Sequence, residues 1–327
     1  MILVTGGAGF IGSNIVAALN ARGIPTAICD FLGDGDKWRN LSRAELRDFV
    51  APARLDEWLD RTVQRVEAIV HMGAISSTTA SDGDLVTEVN FALSWRLWQW
   101  CAHHGKRFIY ASSAATYGNG DNGYDDDDSP QALARLRPLN LYGWSKHLFD
   151  RRVARAVADG EPAPAQWVGL KFFNVYGPNE YHKAGMRSVV AQKFPAAACG
   201  DEVTLFKSYD RRFADGAQQR DFVYVGDCVD LVLWLLDQPQ VNGIFNVGSG
   251  TARSFTELAN ALFAALERAP KIRYVDMPQE LRGRYQYFTQ ARLKGLRAAG
   301  YTRAFTPLEE GVKQYVQQYL SRPDPYL

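Results

Sequence analysis

Tyr142 and Lys146 stand four residues apart in Tyr142-Gly143-Trp144-Ser145-Lys146, and Ser113 lies upstream at the end of a Tyr-Ala-Ser-Ser run. Four residues is about one helical turn, so both side chains project from one helix face. A lone tyrosine titrates near about 10 and is a poor base at neutral pH. An adjacent ammonium stabilises the phenolate and brings it toward the working range. Ser113 can then hold the reacting oxygen by a hydrogen bond. Set behind a dinucleotide-type loop, this trio points to hydride chemistry on an alcohol or ketone.

Those residues need a scaffold, and the chain supplies it from its start. Ile2-Leu3-Val4 reads as a buried parallel strand, followed by Thr5-Gly6-Gly7-Ala8-Gly9-Phe10-Ile11-Gly12 and a helix from about Ser13 to Arg22. Gly6 allows the tight turn, Gly9 lets backbone N–H groups approach a pyrophosphate, and Gly12 lets helix and strand pack closely. Thr26 to Cys29 reads as a second strand ending at Asp30. Ala68 to His71 is another, leading into Met72-Gly73-Ala74-Ile75-Ser76, a small-residue turn suited to the nicotinamide side of a cofactor. An amphipathic helix is expected over about Leu85 to His103, with strands over Arg107 to Ser112 and Gln166 to Phe173. Gly243 to Gly248 reads as a strand rejoining the first sheet.

This β–α alternation predicts an α/β fold: a Rossmann doubly wound parallel sheet with a smaller C-terminal α/β substrate-binding domain. The expected division is 1–173 for the dinucleotide domain, rejoined by about 222–250, and 174–327 mainly for substrate. Past residue 178, Arg and aromatic residues cluster in Phe206-Lys207-Ser208-Tyr209, Gln219-Arg220-Asp221-Phe222 and Arg282-Gly283-Arg284-Tyr285. A planar guanidinium suits phosphate oxygens and an aromatic face suits a base or sugar ring, the needs of a nucleotide-activated substrate.

Formal net charge is +1, which gives no basic footprint for nucleic acid. Cys29, Cys101, Cys199 and Cys228 are scattered, the pattern of reduced thiols in a cytoplasmic protein. No segment reaches the uninterrupted apolar length of a membrane span, and no signal sequence precedes the first strand. Asp125 to Asp128 are four adjacent carboxylates, expected to form a solvated loop rather than a metal site. His71 is expected to pack under the cofactor, and Asp227 to cap the helix that follows it.

The Gly6-x-x-Gly9-x-x-Gly12 spacing with Phe10-Ile11, together with Tyr142 and Lys146, resembles the extended short-chain dehydrogenase/reductases. Ser113 to Gly118, His182-Lys183 and Gly283-Arg284-Tyr285-Gln286 with Phe288-Thr289-Gln290 resemble, more narrowly, the ADP-L-glycero-D-manno-heptose 6-epimerases. The resemblance runs the whole length. It implies inversion at C6″ of an ADP-heptose for lipopolysaccharide core supply, through a 6″-ketone and a tightly held NADP. Tyr142 and Lys146 would serve one face, and Lys183 would be the proton-transfer group for the other. The resemblance extends the cofactor set to Phe31, Lys37, Asn90 and Val175, and places Asn174, Gly185, Gln192, Arg220 and Tyr285 with residues 206–209 at the substrate. It also implies a homo-oligomer, by family precedent a homopentamer.

Cofactor choice draws opposite signals. Asp30 accepts ribose hydroxyls and repels a 2′-phosphate, which alone favours NAD. Lys37 stands where the resemblance puts a phosphate-binding lysine and favours NADP, although Pro52 replaces a second lysine. Gly185 and Gln192 stand where Ser and His are expected, and Arg211 to Gln219 is longer than expected. A 4,6-dehydratase needs carboxyl groups beside Ser113, where Ala114 and Ala115 stand. A UDP-hexose 4-epimerase shares Ser113, Tyr142 and Lys146 but has no need of Lys183. A non-enzymatic nucleotide-sensing Rossmann protein is disfavoured by the intact trio.

Overall fold

The computed structural model describes residues 1–282 and 285–327; Gly283 and Arg284 of the Gly283-Arg284-Tyr285-Gln286 motif lie outside the described residues. Short apolar runs bounded by Gly, Asp and Pro form β1 (Ile2–Thr5), β2 (Thr26–Cys29), β3 (Asp48–Val50), β4 (Ala68–His71), β5 (Arg107–Ser113) and β6 (Gln166–Phe172). The chain then leaves this sheet for β7 (Asn174–Tyr176), β8 (Val203–Phe206) and β9 (Gln219–Tyr224). It returns for β10 (Gly243–Val247) and leaves again for β11 (Ala252–Ser254) and β12 (Ile272–Val275).

The main sheet runs β10-β6-β5-β4-β1-β2-β3, with every pairing parallel. Parallel strands need helical crossovers, which cover both faces, so β1, β2 and β4 are buried along their whole length. Alternate residues divide between the two faces. Val4, Ile28 and Val70 pack with the helix Phe10–Ala21 and the helix Val225–Asp237. Leu3, Ala27 and Ile69 pack with Leu97, Trp98, Phe149 and Val153 from the helices Leu93–His103 and Leu141–Ala158. Strand order reverses beside β1, with β2 on one side and β4 on the other. The loops leaving their carboxyl ends therefore diverge and open a crevice.

The strands outside this sheet form two small ones, β11-β9-β7 and β12-β8. They cover the crevice with a separate apolar cluster that includes Tyr176, Val190, Leu205, Phe222 and Leu258. The expected return of Gly243 to Gly248 is seen as β10, paired in parallel with β6.

Three expectations change. The helix read as Leu85 to His103 is a composite of Gly83–Thr87, a π-helical turn Glu88–Ala92 and Leu93–His103. The Asp125–Asp128 run is not simply solvated. Asp125 and Asp127 are exposed while Asp126 and Asp128 turn inward, the two-residue alternation of an extended segment. Asp126 accepts the Gly295 N–H at 3.1 Å and Asp128 the Ile244 N–H at 3.2 Å, so backbone donors offset the like-charge repulsion. Asp227 does not cap its helix. It accepts the Thr306 N–H at 2.9 Å and the Thr306 hydroxyl at 2.8 Å, tying the helix Val225–Asp237 to a distant loop.

Candidate active site

The turn after β1 is shaped by what it must approach. Gly6 sits at φ +65, and a Cβ there would come within 2.6 Å of the Gly73 nitrogen in the turn after β4. A Cβ on Gly12 would meet the Gly6 carbonyl at 2.1 Å, so the helix Phe10–Ala21 can lie on the strand only if residue 12 is glycine. No side chain caps that helix at Gly9, so its first N–H groups are left for an anion. Thr5 joins the two turns: its hydroxyl lies 2.6 Å from His71 Nδ1 and accepts the Gly73 N–H at 3.3 Å. His71 Nε2 meets the Ser94 hydroxyl at 2.8 Å. This histidine is fully buried, and burial, helped by the Lys146 charge, pushes its pKa down to about 3. His71 is thus a neutral packing residue beneath the turn.

Asn90 lies in the π-helical turn and grips the Met72–Ser76 segment from behind. Its carbonyl oxygen accepts the Ile75 N–H at 2.8 Å, and its amide donates to the Ile75 carbonyl at 3.0 Å and to the Ser145 hydroxyl at 2.9 Å. One side chain therefore links the turn after β4 to the helix carrying Tyr142 and Lys146. A π-turn shifts one position of a helix out of register, a device common at functional sites.

The helix Leu141–Ala158 starts at Asn140, whose side chain accepts the Gly143 N–H at 2.8 Å. Tyr142 and Lys146 fall on its first turns and both line one cavity of about 820 Å³, near the upper end of the roughly 300–1,000 Å³ of small-molecule sites. Ser113, at the end of β5, lines the same cavity. Its oxygen accepts the Ala115 N–H at 3.1 Å, leaving its own proton to donate. Burial pushes the Tyr142 phenol up, the Ser113 hydrogen bond opposes this, and the Asp150 charge adds to the rise. Lys146 is buried, and burial brings its ammonium down to about 8 against the opposing pull of Asp150. The expectation that Lys146 lowers Tyr142 is therefore not met by this constellation alone, since desolvation of the phenol outweighs its neighbours.

At the far end of the crevice Asp30 and Lys37 form an ion pair of 2.6 Å. Asp30 also accepts the Ala8 N–H at 2.9 Å and the Phe31 N–H at 2.7 Å, while Lys37 donates to the Phe31 carbonyl at 2.7 Å. The pair removes the bare negative charge that the sequence places at the end of β2. Phe31 itself is 70% exposed and is not part of the cavity wall.

Lys183 reaches the cavity from a 3₁₀ turn, Tyr181–Met186, kinked at Ala184 with φ 46. Its Nζ stands 5.4 Å from the centre of the Phe10 ring. Burial pushes the Lys183 ammonium down, and the Glu180 carboxylate opposes that shift. The neighbouring His182 is held by Asn40, whose amide lies 3.2 Å from His182 Nδ1 and also donates to the Ala8 and Asn179 carbonyls. Arg220 is buried between aromatic rings, 5.2 Å from Tyr285 and 5.7 Å from Phe255. Its one hydrogen bond among the described residues goes to the Gln219 carbonyl at 2.8 Å, which leaves most of its fork for an anion.

The cavity thus gathers Gly6, Gly9, Phe10, Ile11, Gly12, Asp30, Lys37, Met72 to Ser76, Ser113, Tyr142, Lys146, Asn174, Val175, Lys183, Arg220 and Tyr285. Other expected residues stand apart. Gln192 is exposed and donates to the Gly185 and Arg187 carbonyls at 3.2 and 2.6 Å, and Gly185 has open space around it. Phe206 to Tyr209 are not in the wall: Lys207 pairs with Asp276 at 3.2 Å, and the Tyr209 hydroxyl meets the same carboxylate at 3.0 Å. Sequence reasoning passed over His182, Arg187, Ser188, Val190 and Phe255 in the wall. Of these, His182 was visible beside Lys183, and Ser188 carries an N-cap signature before an apolar run.

Residues 2–248 match the NAD dependent epimerase/dehydratase family. The chain belongs to that family. Membership brings a nicotinamide dinucleotide, and the glycine turn, the uncapped helix and the Asp30–Lys37 end of the crevice fit one. A Fusobacterium nucleatum protein named ADP-L-glycero-D-manno-heptose-6-epimerase is 47% identical over 336 residues, covering 100% of both chains. The Helicobacter pylori structure of the same name superposes with TM-score 0.76 at 28% identity, covering 97% of this chain and 95% of that one. A Thermus thermophilus UDP-glucose 4-epimerase complex with NAD gives 0.74 at 29% identity, with coverage of 96% and 97%. Among the described residues no helix is long and apolar enough to cross a membrane.

Proposed function

We propose that this family member inverts C6″ of ADP-D-glycero-D-manno-heptose to give the L-glycero epimer, using tightly held NADP. The observation that carries this reading is the meeting of two proton-transfer candidates, Tyr142 and Lys183, from unrelated elements in one cavity. Inversion needs such a pair because the carbonyl formed on one face must be reduced on the other. The full-length similarity to heptose epimerases supports the substrate.

A nicotinamide held by the glycine turn and the Met72–Ser76 segment would supply hydride acceptance and return, and its oxidised form would add positive charge beside Tyr142. Tyr142 takes the proton from the C6″ hydroxyl of one epimer, with Ser113 holding that oxygen and Lys146 supporting the phenolate and the nicotinamide ribose. Lys183, lowered by burial, exchanges the proton of the opposite epimer. Asn174, Arg220 and Tyr285 hold the sugar and diphosphate. Lys37, with Asp30 already neutralised beside it, receives the 2′-phosphate, so NADP is preferred over NAD. Residues 1–173 with the return near 222–250 form the dinucleotide domain and 174–327 mainly the substrate domain. The enzyme works as a cytoplasmic homo-oligomer, a homopentamer, in lipopolysaccharide heptose supply.

The test is incubation of the purified protein, without added cofactor, with ADP-D-glycero-D-manno-heptose and separately with UDP-hexoses, followed by NMR of the products. Inversion at C6″ of the heptose is the expected result. Inversion of UDP-hexoses at C4 with the heptose untouched would overturn the assignment in favour of a 4-epimerase.

A further inference from the structure

The turn that carries Lys183 is closed by two residues, Glu180 and Ser188, that the sequence reading gave no role. Glu180 precedes the turn and is only 1% exposed. Its carboxylate accepts the Ser188 hydroxyl at 2.6 Å, the Ser188 N–H, and the Gly177 N–H at 3.4 Å. Ser188 follows the turn and caps the helix Val189–Cys199 by accepting the Ala191 N–H at 3.3 Å. Residues 180 and 188 therefore clamp the ends of a segment whose interior holds a non-glycine residue, Ala184, at positive φ. Such a conformation costs energy and persists only when its surroundings fix it. Every donor to Glu180 is neutral, and among the described residues no cation lies within ion-pair distance of it. The Lys183 backbone N–H meets the Glu180 carbonyl at 3.1 Å, which puts the lysine one turn from the buried carboxylate.

We propose that Glu180 and Ser188 form a staple that positions Lys183 in the cavity, with the Glu180 carboxylate as countercharge of its ammonium. This rests on the assignment of Lys183 as the second proton-transfer group. Both are positioning residues, acting through Lys183. Burial pushes the Glu180 carboxyl up, the Ser188 and Gly177 hydrogen bonds and the Lys183 charge oppose that shift, and the carboxylate in turn raises the proton affinity of Lys183. The other titratable or charged groups around the turn are Tyr181, His182 and Arg187 on the turn itself, with Arg187 donating to the Ala184 carbonyl at 2.9 Å. Tyr315 and Tyr326 pack from the C-terminal side, and Asp30 and Lys37 act on His182. Lys193, on the helix that Ser188 caps, turns to the Thr204 hydroxyl at 3.1 Å. The helix Phe10–Ala21 contributes the Phe10 ring and no charge.

The staple and the charge separate in three holoenzyme variants, each assayed for retained cofactor and for C6″ inversion across pH. Glu180→Gln is close to isosteric but uncharged, and Ser188→Ala removes the clamp but keeps the carboxylate. Both are expected to retain cofactor and to lose inversion on the order of 10²-fold, the cost of a misplaced reacting group. Glu180→Gln alone should move the limb belonging to Lys183 to lower pH, because loss of the countercharge favours the neutral amine. Ser188→Thr, which keeps the hydroxyl, should restore the rate. Wild-type rates and an unmoved limb in Glu180→Gln and Ser188→Ala, beside an inactive Lys183→Met, would overturn the staple and leave Lys183 in place. Full activity of Lys183→Met would instead overturn the assignment on which the staple rests. If Glu180→Gln loses its cofactor or its helical circular dichroism, Ser188→Ala and its threonine rescue decide alone.

Discussion

The two sides of the cavity are built in opposite ways. Tyr142 and Lys146 ride on an 18-residue helix whose start is capped by Asn140 and whose flank is braced by the Asn90–Ser145 bond. Lys183 rides on a six-residue 3₁₀ turn held at its ends by Glu180 and Ser188. Regular structure places a pair of groups relative to each other at little cost, which suits the hydride step proposed for Tyr142 and Lys146. Irregular backbone can put one group where no helix reaches, which an inversion needs. Under the proposed mechanism, the hydride chemistry is assigned to the rigid element and the second proton transfer to the kinked one.

Removing either proton handle tests that contrast hardest. Tyr142→Phe should cut turnover by at least about a hundredfold in both directions, with cofactor still bound, because proton transfer contributes about 10²–10⁴. Lys183→Met should lose inversion to a similar extent yet keep hydride transfer from one epimer, seen as reduced nicotinamide in a single turnover. Identical behaviour of the two variants would erase the distinction between the sides. Next in size is Lys37→Ala, expected to weaken NADP about ten- to a hundredfold by loss of a charge-assisted contact. NAD should be much less affected, since it lacks the 2′-phosphate, and equal losses for both cofactors in a titration would remove Lys37 from that role.

Smaller effects probe the braces. Asn90→Ala leaves the Ile75 backbone groups unpaired and should cost about 1–3 kcal/mol, read as a lower urea midpoint together with faster cofactor loss. Full stability would mean that water replaces the amide. His71 adds a pH signature on the rigid side. Its folded pKa of about 3 lies below the unfolded 6.5, so its contribution is fully present above pH 6.5 and is lost as pH falls toward 3. Over that window it should contribute a slope of roughly 1.4 kcal/mol per pH unit. A His71→Gln variant should show a correspondingly flatter dependence of its urea midpoint on pH.

The same contrast explains what the sequence made legible. Helix and strand periodicities carry β1, β2, β4, β5 and β6, the return of β10 and the shared face of Tyr142 and Lys146, whereas the three-residue edge strand β3, with two of its residues exposed, gave no such signal. Lys183 has no periodic signal and was visible only through the resemblance of His182-Lys183. Gln192 was assigned by the resemblance alone, where a His is expected, and its place on the helix Val189–Cys199 turns it to the Gly185 and Arg187 carbonyls. Asp227 was misread because Thr306, its partner, is remote in sequence and competes with a local cap. Phe206 to Tyr209 were assigned by composition, and Asp276 takes two of their polar groups.

One experiment addresses the central claim, inversion by hydride removal and return, most directly. The protein is allowed to equilibrate ADP-D-glycero-D-manno-heptose in D₂O, and both epimers are examined by NMR for deuterium at C6″. Hydride that leaves for the nicotinamide and comes back never meets solvent, whereas the protons that the proposal assigns to Tyr142 and Lys183 sit on oxygen and exchange. The account predicts epimerised product with protium retained at C6″. Deuterium at C6″ accumulating in step with inversion would contradict it and require deprotonation of carbon instead.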